Sequence, residues 1–288
     1  MSSPLPFGVD LAWPLWDNEP LEGAFTLQAQ DEQTHLNGVV KEVHRPWLFC
    51  YKASKPNGRA VLVLGGGGYV ELMVGREGVK VARWLTTLGF TAFVLIHRFP
   101  TSKTGAQAPI DDAHHALHLI TNSGLSPNGL GICGLSSGGH LAASLLSNYP
   151  ASWTSPTPSE PTPIPRISFA IIGYAPISTN AKGRTIIPDK APLAPKEKQE
   201  LYDTVQPDVQ LISPAPPTFI VYSGSDPVVP VMNAYRLAEG VMKAGGKVEV
   251  HVFAEAPHGF GIDTLGMPVE KWPGMCEEWL KQNSLIES

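Results

Sequence analysis

Cysteine is scarce in this chain. Cys50, Cys133 and Cys276 stand far apart with no CxxC spacing, so neither a disulfide framework nor a zinc knot is expected. Charge is also sparse, at 16% of 288 residues, with a net charge of −5 and no basic run. That balance argues against a nucleic-acid partner or an anionic membrane surface. No apolar stretch approaches the roughly 20 residues that cross a bilayer. Met1 to Pro20 has neither a basic start nor an apolar centre, so it does not read as a signal peptide, and a cytoplasmic protein is expected unless a leader was removed. Internal repeats are absent. Hydrophobic residues, in contrast, make up 43%, which is enough for the core of one large domain. Gly and Pro, 28 of each, announce many turns and several long loops.

The pattern alternates strand and helix. Residues 1–40 read as an irregular arm anchored by Trp13-Pro14-Leu15-Trp16. Trp47 to Tyr51 reads as an edge strand, and Ala60 to Leu64, fully apolar and ending in glycines, as a buried central one. A helix is predicted from Glu77 to Leu88, closed by Gly89, and another opening near Pro109. Further strands are predicted at 91–96, 130–134, 167–174, 218–222 and 248–253, with helices at 140–147, 231–244 and 275–281. Pro156 to Pro165 reads as a loop. Residues 180–210, polar and broken by prolines, read as a small lid insertion with a short helix at 196–203. The implied architecture is a single domain with a mainly parallel, doubly wound sheet covered on both faces.

Gly134-Leu135-Ser136-Ser137-Gly138 fits G-x-S-x-G where a strand hands over to a helix. At such an elbow a strained backbone exposes the serine hydroxyl, and a side chain at either glycine would collide across the turn. The plain alternative is a glycine turn packing a helix on a strand. Leu64-Gly65-Gly66-Gly67-Gly68-Tyr69 follows the first buried strand. It lacks the Lys-Ser/Thr of a phosphate loop and the third glycine of a dinucleotide fingerprint. An oxyanion hole suits it better, with N–H groups from Gly67, Gly68 and Ser137. A serine needs a base. Of the histidines after Ser136, His140 lies on the elbow helix and His251 inside a strand. His258, in a loop, is the best candidate. Asp226, at the end of the strand before it, supplies the acid, although its plain reading is an N-cap for the helix beyond Pro227, and it could serve both needs. The order Ser136, Asp226, His258 is the one used where a serine elbow follows a strand.

Other groups are weighed lower. Asp111, Asp112, His114, His115 and His118 spread around a helix and predict a solvated surface, not a metal site. Arg98 is expected to brace Asp112. Asp208 and residues 196–200 are expected to be solvated, and Tyr69 and Phe260 to wall the site as substrate-binding residues.

With these residues in place, the chain resembles the esterase branch of the α/β-hydrolase fold, and most nearly bacterial acetylxylan-esterase-like hydrolases, some of them named as xylanases, of the P-G-G-G-Y type. The matching stretches are Gly66 to Tyr69, Glu77-Gly78 with its helix, Gly134 to Gly139, Pro216 to Phe219, Asp226 to Pro230 and His258 to Gly261. Gly65 departs from the pattern, standing where relatives often carry Pro or His. The resemblance implies a cofactor-independent serine esterase working through an acyl-enzyme on a small-molecule ester with a short acyl group such as acetyl. A homo-oligomer stays open. A ligand-binding protein on the same fold, a peptidase and a dienelactone hydrolase are the alternatives. The last normally uses cysteine at the elbow, and a peptidase normally carries an extra domain.

Overall fold

A computed structural model describes residues 6–16, 20–28, 37–153, 165–184 and 186–287. The segment read as a loop at Pro156 to Pro165 lies outside them except for its last residue. Among the described residues there are ten strands: β1 (Leu11–Pro14), β2 (Phe25–Gln28), β3 (Val39–Val43), β4 (Trp47–Tyr51), β5 (Ala60–Leu64), β6 (Thr91–Ile96), β7 (Leu130–Leu135), β8 (Ile167–Gly173), β9 (Thr218–Ser223) and β10 (Val248–Phe253). Eight of them form one sheet in the order β1-β4-β6-β5-β7-β8-β9-β10, and β2 and β3 pair separately. From β6 to β10 every neighbouring pair is parallel, while β4 runs antiparallel to both β6 and β1.

The helices are α1 (Lys80–Thr87), α2 (Ala108–Asn122), α3 (Ser137–Ser144), α4 (Lys196–Thr204), α5 (Pro207–Gln210), α6 (Met232–Lys243) and α7 (Trp272–Gln282). Strands β5, β6, β7 and β9 are buried at every residue. This is the behaviour expected of strands covered on both faces, and it explains why they are unbroken apolar runs without alternation. Among the described residues no helix is long and apolar enough to cross a membrane.

Four expectations are corrected. The first 40 residues are not wholly irregular, since they carry β1 and β2. Consequently β4 is not an edge strand: Leu11 to Pro14 pair with Trp47 to Cys50 on its outer side, and all five β4 residues are buried. The helix expected from Glu77 begins as a π-helical turn over Val74–Val79 that passes into α1. Finally, α2 is not a solvated helix. Asp112 is fully buried and accepts from Arg98 at 2.6 Å and from the Trp16 indole at 2.7 Å. Burial lifts the Asp111 carboxyl to about 6 and pushes His114 down to about 4. The expected Arg98–Asp112 brace is present, and among the described residues no group of side chains has the arrangement of a metal site.

In the insertion, Asp208 is likewise buried rather than solvated, because the Arg184 guanidinium clamps both of its oxygens at 2.9 and 2.5 Å. Glu197 on α4 is buried as well. Tyr202 of α4 packs its ring 4.5 Å from that of His140 on α3, so the insertion rests on the elbow helix.

Candidate active site

Five adjacent strands end at one rim of the sheet, and each contributes a loop there. After β5 comes the glycine run, after β7 the serine elbow, after β8 Tyr174, after β9 Asp226 and after β10 His258. Groups far apart in sequence therefore meet because their strands are neighbours, as ligand-binding groups do in open α/β sheets.

Ser136 sits between β7 and α3 with φ +53° and ψ −126°, a backbone conformation that L-residues seldom adopt. Its neighbours permit this. A Cβ on Gly138 would lie 2.1 Å from the Leu64 carbonyl oxygen, and one on Gly134 would lie 2.2 Å from that of Gly138. The collision expected across the turn is thus real at both positions. The Ser136 N–H donates to the Gly173 carbonyl at 2.9 Å, which ties the elbow to the end of β8.

The Ser136 Oγ lies 2.9 Å from His258 Nε2, and His258 Nδ1 lies 2.7 Å from Asp226 Oδ2. A carboxylate oxygen can only accept, so Nδ1 carries the proton and Nε2 is left to accept from the serine hydroxyl. The other Asp226 oxygen accepts the N–H groups of Val228 and Val229 at 2.8 and 2.9 Å. The helix N-cap reading of Asp226 does not hold, since α6 starts at Met232 with Val231 at its cap and no side-chain capping bond; one Asp226 oxygen faces the imidazole and the other closes the turn beyond Pro227. The Asp226 side chain is wholly hidden, whereas that of His258 is 20% exposed, so the ring faces an approachable space while its partner does not. The Tyr174 ring meets the imidazole edge-on at 5.3 Å.

On the glycine run, the Gly67 N–H has no hydrogen bond among the described residues, and neither has that of Ser137 at the start of α3. Both satisfy the first requirement of an oxyanion hole, since each is a backbone donor left unpaired beside the elbow. Gly68 differs: its N–H donates to Ser137 Oγ at 2.9 Å, which holds the glycine run against α3. Gly67 has φ +129°, and a Cβ there would fall 2.1 Å from the Glu71 carbonyl oxygen. Lys198 of α4 reaches over this loop, its Nζ 3.7 Å from where a Gly68 Cβ would stand, and burial lowers the pKa of its ammonium.

Tyr69 and Phe260 do not form open walls, since each is only 1% exposed. The Tyr69 hydroxyl is 2.9 Å from His140 Nδ1, and His140 Nε2 is 3.1 Å from the Val205 carbonyl. A carbonyl can only accept, so Nε2 carries the ring proton, Nδ1 accepts, and Tyr69 donates. Phe260 packs edge-on against Tyr174 at 4.4 Å. Both residues support the loops from below. His251 lies away from the site, 2.8 Å from Glu249.

Two residues of the site carried no role in the sequence reading. Tyr174 ends a strand on the functional rim, and that position was the available signal. Glu77 belongs to a quoted motif, but nothing in its spacing indicates that it is buried beside the elbow.

Against known proteins, residues 66–262 match a family model described as alpha/beta hydrolase fold. An acetylxylan esterase from Xylanibacter ruminicola is 26% identical over 249 residues, covering 84% of this chain and 49% of that protein. Endo-1,4-beta-xylanase B from Butyrivibrio fibrisolvens is 26% identical over 228 residues, covering 75% of this chain and 35% of the other. The chain thus spans half or less of the curated relatives it matches. Among solved structures, an acetyl ester-xyloside bifunctional hydrolase from Caldicellulosiruptor lactoaceticus superposes with a TM-score of 0.68 at 26% identity, covering 96% of this chain and 97% of that one. A carboxylesterase from Lactobacillus plantarum superposes with a TM-score of 0.67 at 15% identity over 92% of this chain and 99% of its own, a likeness of fold alone.

Proposed function

The chain belongs to the alpha/beta hydrolase fold family, and from that premise we propose that it is a serine carboxylic-ester hydrolase acting on short-chain, chiefly acetyl, esters. The observation that carries the reading is the unbroken relay from Asp226 Oδ2 through His258 to Ser136 Oγ, with bonds of 2.7 and 2.9 Å.

In this reading Ser136 attacks the ester carbonyl while His258 Nε2 takes its proton. Asp226 keeps the ring in the tautomer that can do so and stabilises the imidazolium that results. The negative charge that develops on the carbonyl oxygen is met by the N–H groups of Gly67 and Ser137. Donors of this kind are each worth roughly 10²- to 10³-fold in rate, because they are already aimed when the charge forms. Gly68 joins them if Ser137 Oγ turns away from its N–H. His258 then protonates the departing alcohol, and the acyl group stays on Ser136. Water attacks the acyl-enzyme by the same route, returning the proton through the ring. The acetyl preference draws on the relatives' names, an acetylxylan esterase and an acetyl ester-xyloside hydrolase, and the alcohol side of the substrate is accordingly sugar-like.

The test is a p-nitrophenyl ester series from acetate to octanoate, with acetylated xylose oligomers alongside. Turnover is expected to be highest at acetate and to fall steadily with chain length. Ser136→Ala is expected to lose about 10³- to 10⁴-fold or more in kcat. A fluorophosphonate should label the native protein once, at Ser136. Unchanged turnover in Ser136→Ala would remove the reading.

A further inference from the structure

Glu77 is 2% exposed, and nothing in the relay touches it. Its Oε2 accepts the Gly66 N–H at 2.7 Å, and its Oε1 accepts the Tyr174 hydroxyl at 3.0 Å. The Tyr174 oxygen in turn accepts the Gly261 N–H at 3.2 Å. That phenol has one proton and one acceptor for it, so both Glu77 oxygens act as acceptors, and these bonds favour the charged form while burial, the larger influence, raises the pKa. Packing repeats the pattern. A Cβ on Gly66 would be wedged between Glu77 Oε2 at 2.5 Å and the Ser136 Cβ at 2.6 Å, and one on Gly259 would lie 3.5 Å from Glu77 Oε1. One buried carboxylate therefore bears on the glycine run, the end of β8 and the loop that follows His258. The π-helical turn at Val74–Val79 carries Glu77 at this point, and single π turns are often found where a side chain must be aimed.

We propose that Glu77 is a positioning residue of this hydrolase: it fixes the Gly66–Gly67 peptide behind the oxyanion hole and, through Tyr174, the segment that carries His258, and it sets a second negative charge behind the imidazole. The inference rests on Ser136 being the nucleophile. The charged and titratable groups around the ring are Asp226 from the loop after β9, with Tyr222 behind it, Tyr174 just after β8, and Glu77 and Arg76 from the π-helical turn. Arg76 opposes Glu77 in sign and holds the same loop, donating to the Gly259 carbonyl at 3.2 Å. Removing the Glu77 charge leaves Arg76 unopposed, which disfavours protonation of the imidazole.

The experiment compares Glu77→Gln, Tyr174→Phe and Ser136→Ala with the native enzyme on p-nitrophenyl acetate across pH. In Glu77→Gln the amide oxygen can keep the Gly66 N–H, but the –NH₂ must then donate to the Tyr174 oxygen, so the phenol proton loses its acceptor and the anchor to the His258 segment is reversed. A fall in kcat of about 10- to 100-fold is expected, less than the full loss of one oxyanion donor at its upper limit. KM should stay within about 3-fold, and the acid limb of kcat/KM should move to lower pH. Tyr174→Phe keeps the charge and loses one anchor, so kcat should fall about 5-fold with the acid limb in place. If Glu77→Gln keeps native kcat, or loses activity only in step with melting temperature and with an unmoved acid limb, the inference is overturned. Should Glu77→Gln fail to accumulate as folded protein, Tyr174→Phe decides, and native kcat in that variant overturns it. Turnover in Ser136→Ala would remove the nucleophile and the inference together. An inactive Ser136→Ala beside a native-like Glu77→Gln would remove the inference alone.

Discussion

Asp226 shows how two demands converge on one side chain. Its Oδ1 closes the turn by accepting from Val228 and Val229, and its Oδ2 holds the His258 ring. Asp226→Asn separates them. The amide oxygen can still accept the two backbone donors, so the turn should survive. The –NH₂ then faces His258 Nδ1 as a donor and forces the ring proton to Nε2, where it can no longer take the serine proton. A fall of about 10³- to 10⁴-fold in kcat with a melting temperature near that of the native protein is the expected result, read by steady-state kinetics and calorimetry. Activity within tenfold of native would mean that the base is held in its tautomer by something other than Asp226.

At the scale of elements, what counts is how closely β5, β7 and α3 approach one another. Gly138 brings α3 within contact distance of the Leu64 carbonyl, where an added methyl would lie 2.1 Å from backbone oxygen. Backbone cannot yield as a side-chain tip can, so Gly138→Ala should cost about 3 kcal/mol or more, measured by urea denaturation. A loss below about 1 kcal/mol would show that the helix can shift outward.

These elements were largely legible in the sequence. Ala60 to Leu64 and Thr218 to Ser223 are short apolar runs bounded by turn residues, and strands buried on both faces leave that signature. β1 was not legible, because Leu11 to Pro14 is four residues long, contains a proline and earns its place only by pairing with β4. Similarly, the acidic and histidine positions of α2 look solvated along the chain; the Arg98 brace was legible, but Trp16, remote in sequence, also closes over Asp112. Of the site, Ser136, Asp226 and His258 carry local turn signals, and the structure brings them into contact. Tyr69 and Phe260 were misread because an aromatic residue beside a site has the same local sequence whether it lines the opening or lies beneath it.

For the molecule as a whole, buried histidines couple folding to acidity. Burial holds His140 down to about 4 from an ordinary 6.5. Between those values the unfolded chain binds a proton that the folded protein refuses, so the stabilisation is intact above about 6.5 and drains away as pH falls toward 4. His114 behaves in the same way. Asp111, raised to about 6, works oppositely, since the folded state takes up its proton first and gains stability below that pH. The net curve mixes these contributions, and a difference between variants isolates one of them. His140→Gln removes the refused proton, so the gap in melting temperature between native protein and variant should be widest near pH 7.5 and shrink by pH 4.5. A constant gap would mean that His140 is not the group responsible.

The outermost strand has a consequence for solubility. Leu11 to Pro14 is the selvage of the eight-stranded sheet, hydrogen-bonded to β4 on one side and closed by a proline that has no N–H to offer. Proteolytic clipping after residue 16 that released this strip would bare Trp47 to Tyr51, a hydrophobic ribbon whose backbone would then seek a new mate. Two clipped molecules can satisfy each other antiparallel across that ribbon, so the nicked protein should elute as dimers or larger species while the intact chain gives no such shift. Serine reactivity toward a fluorophosphonate should persist in those species, because the rim that holds Ser136 lies several strands away from the frayed border.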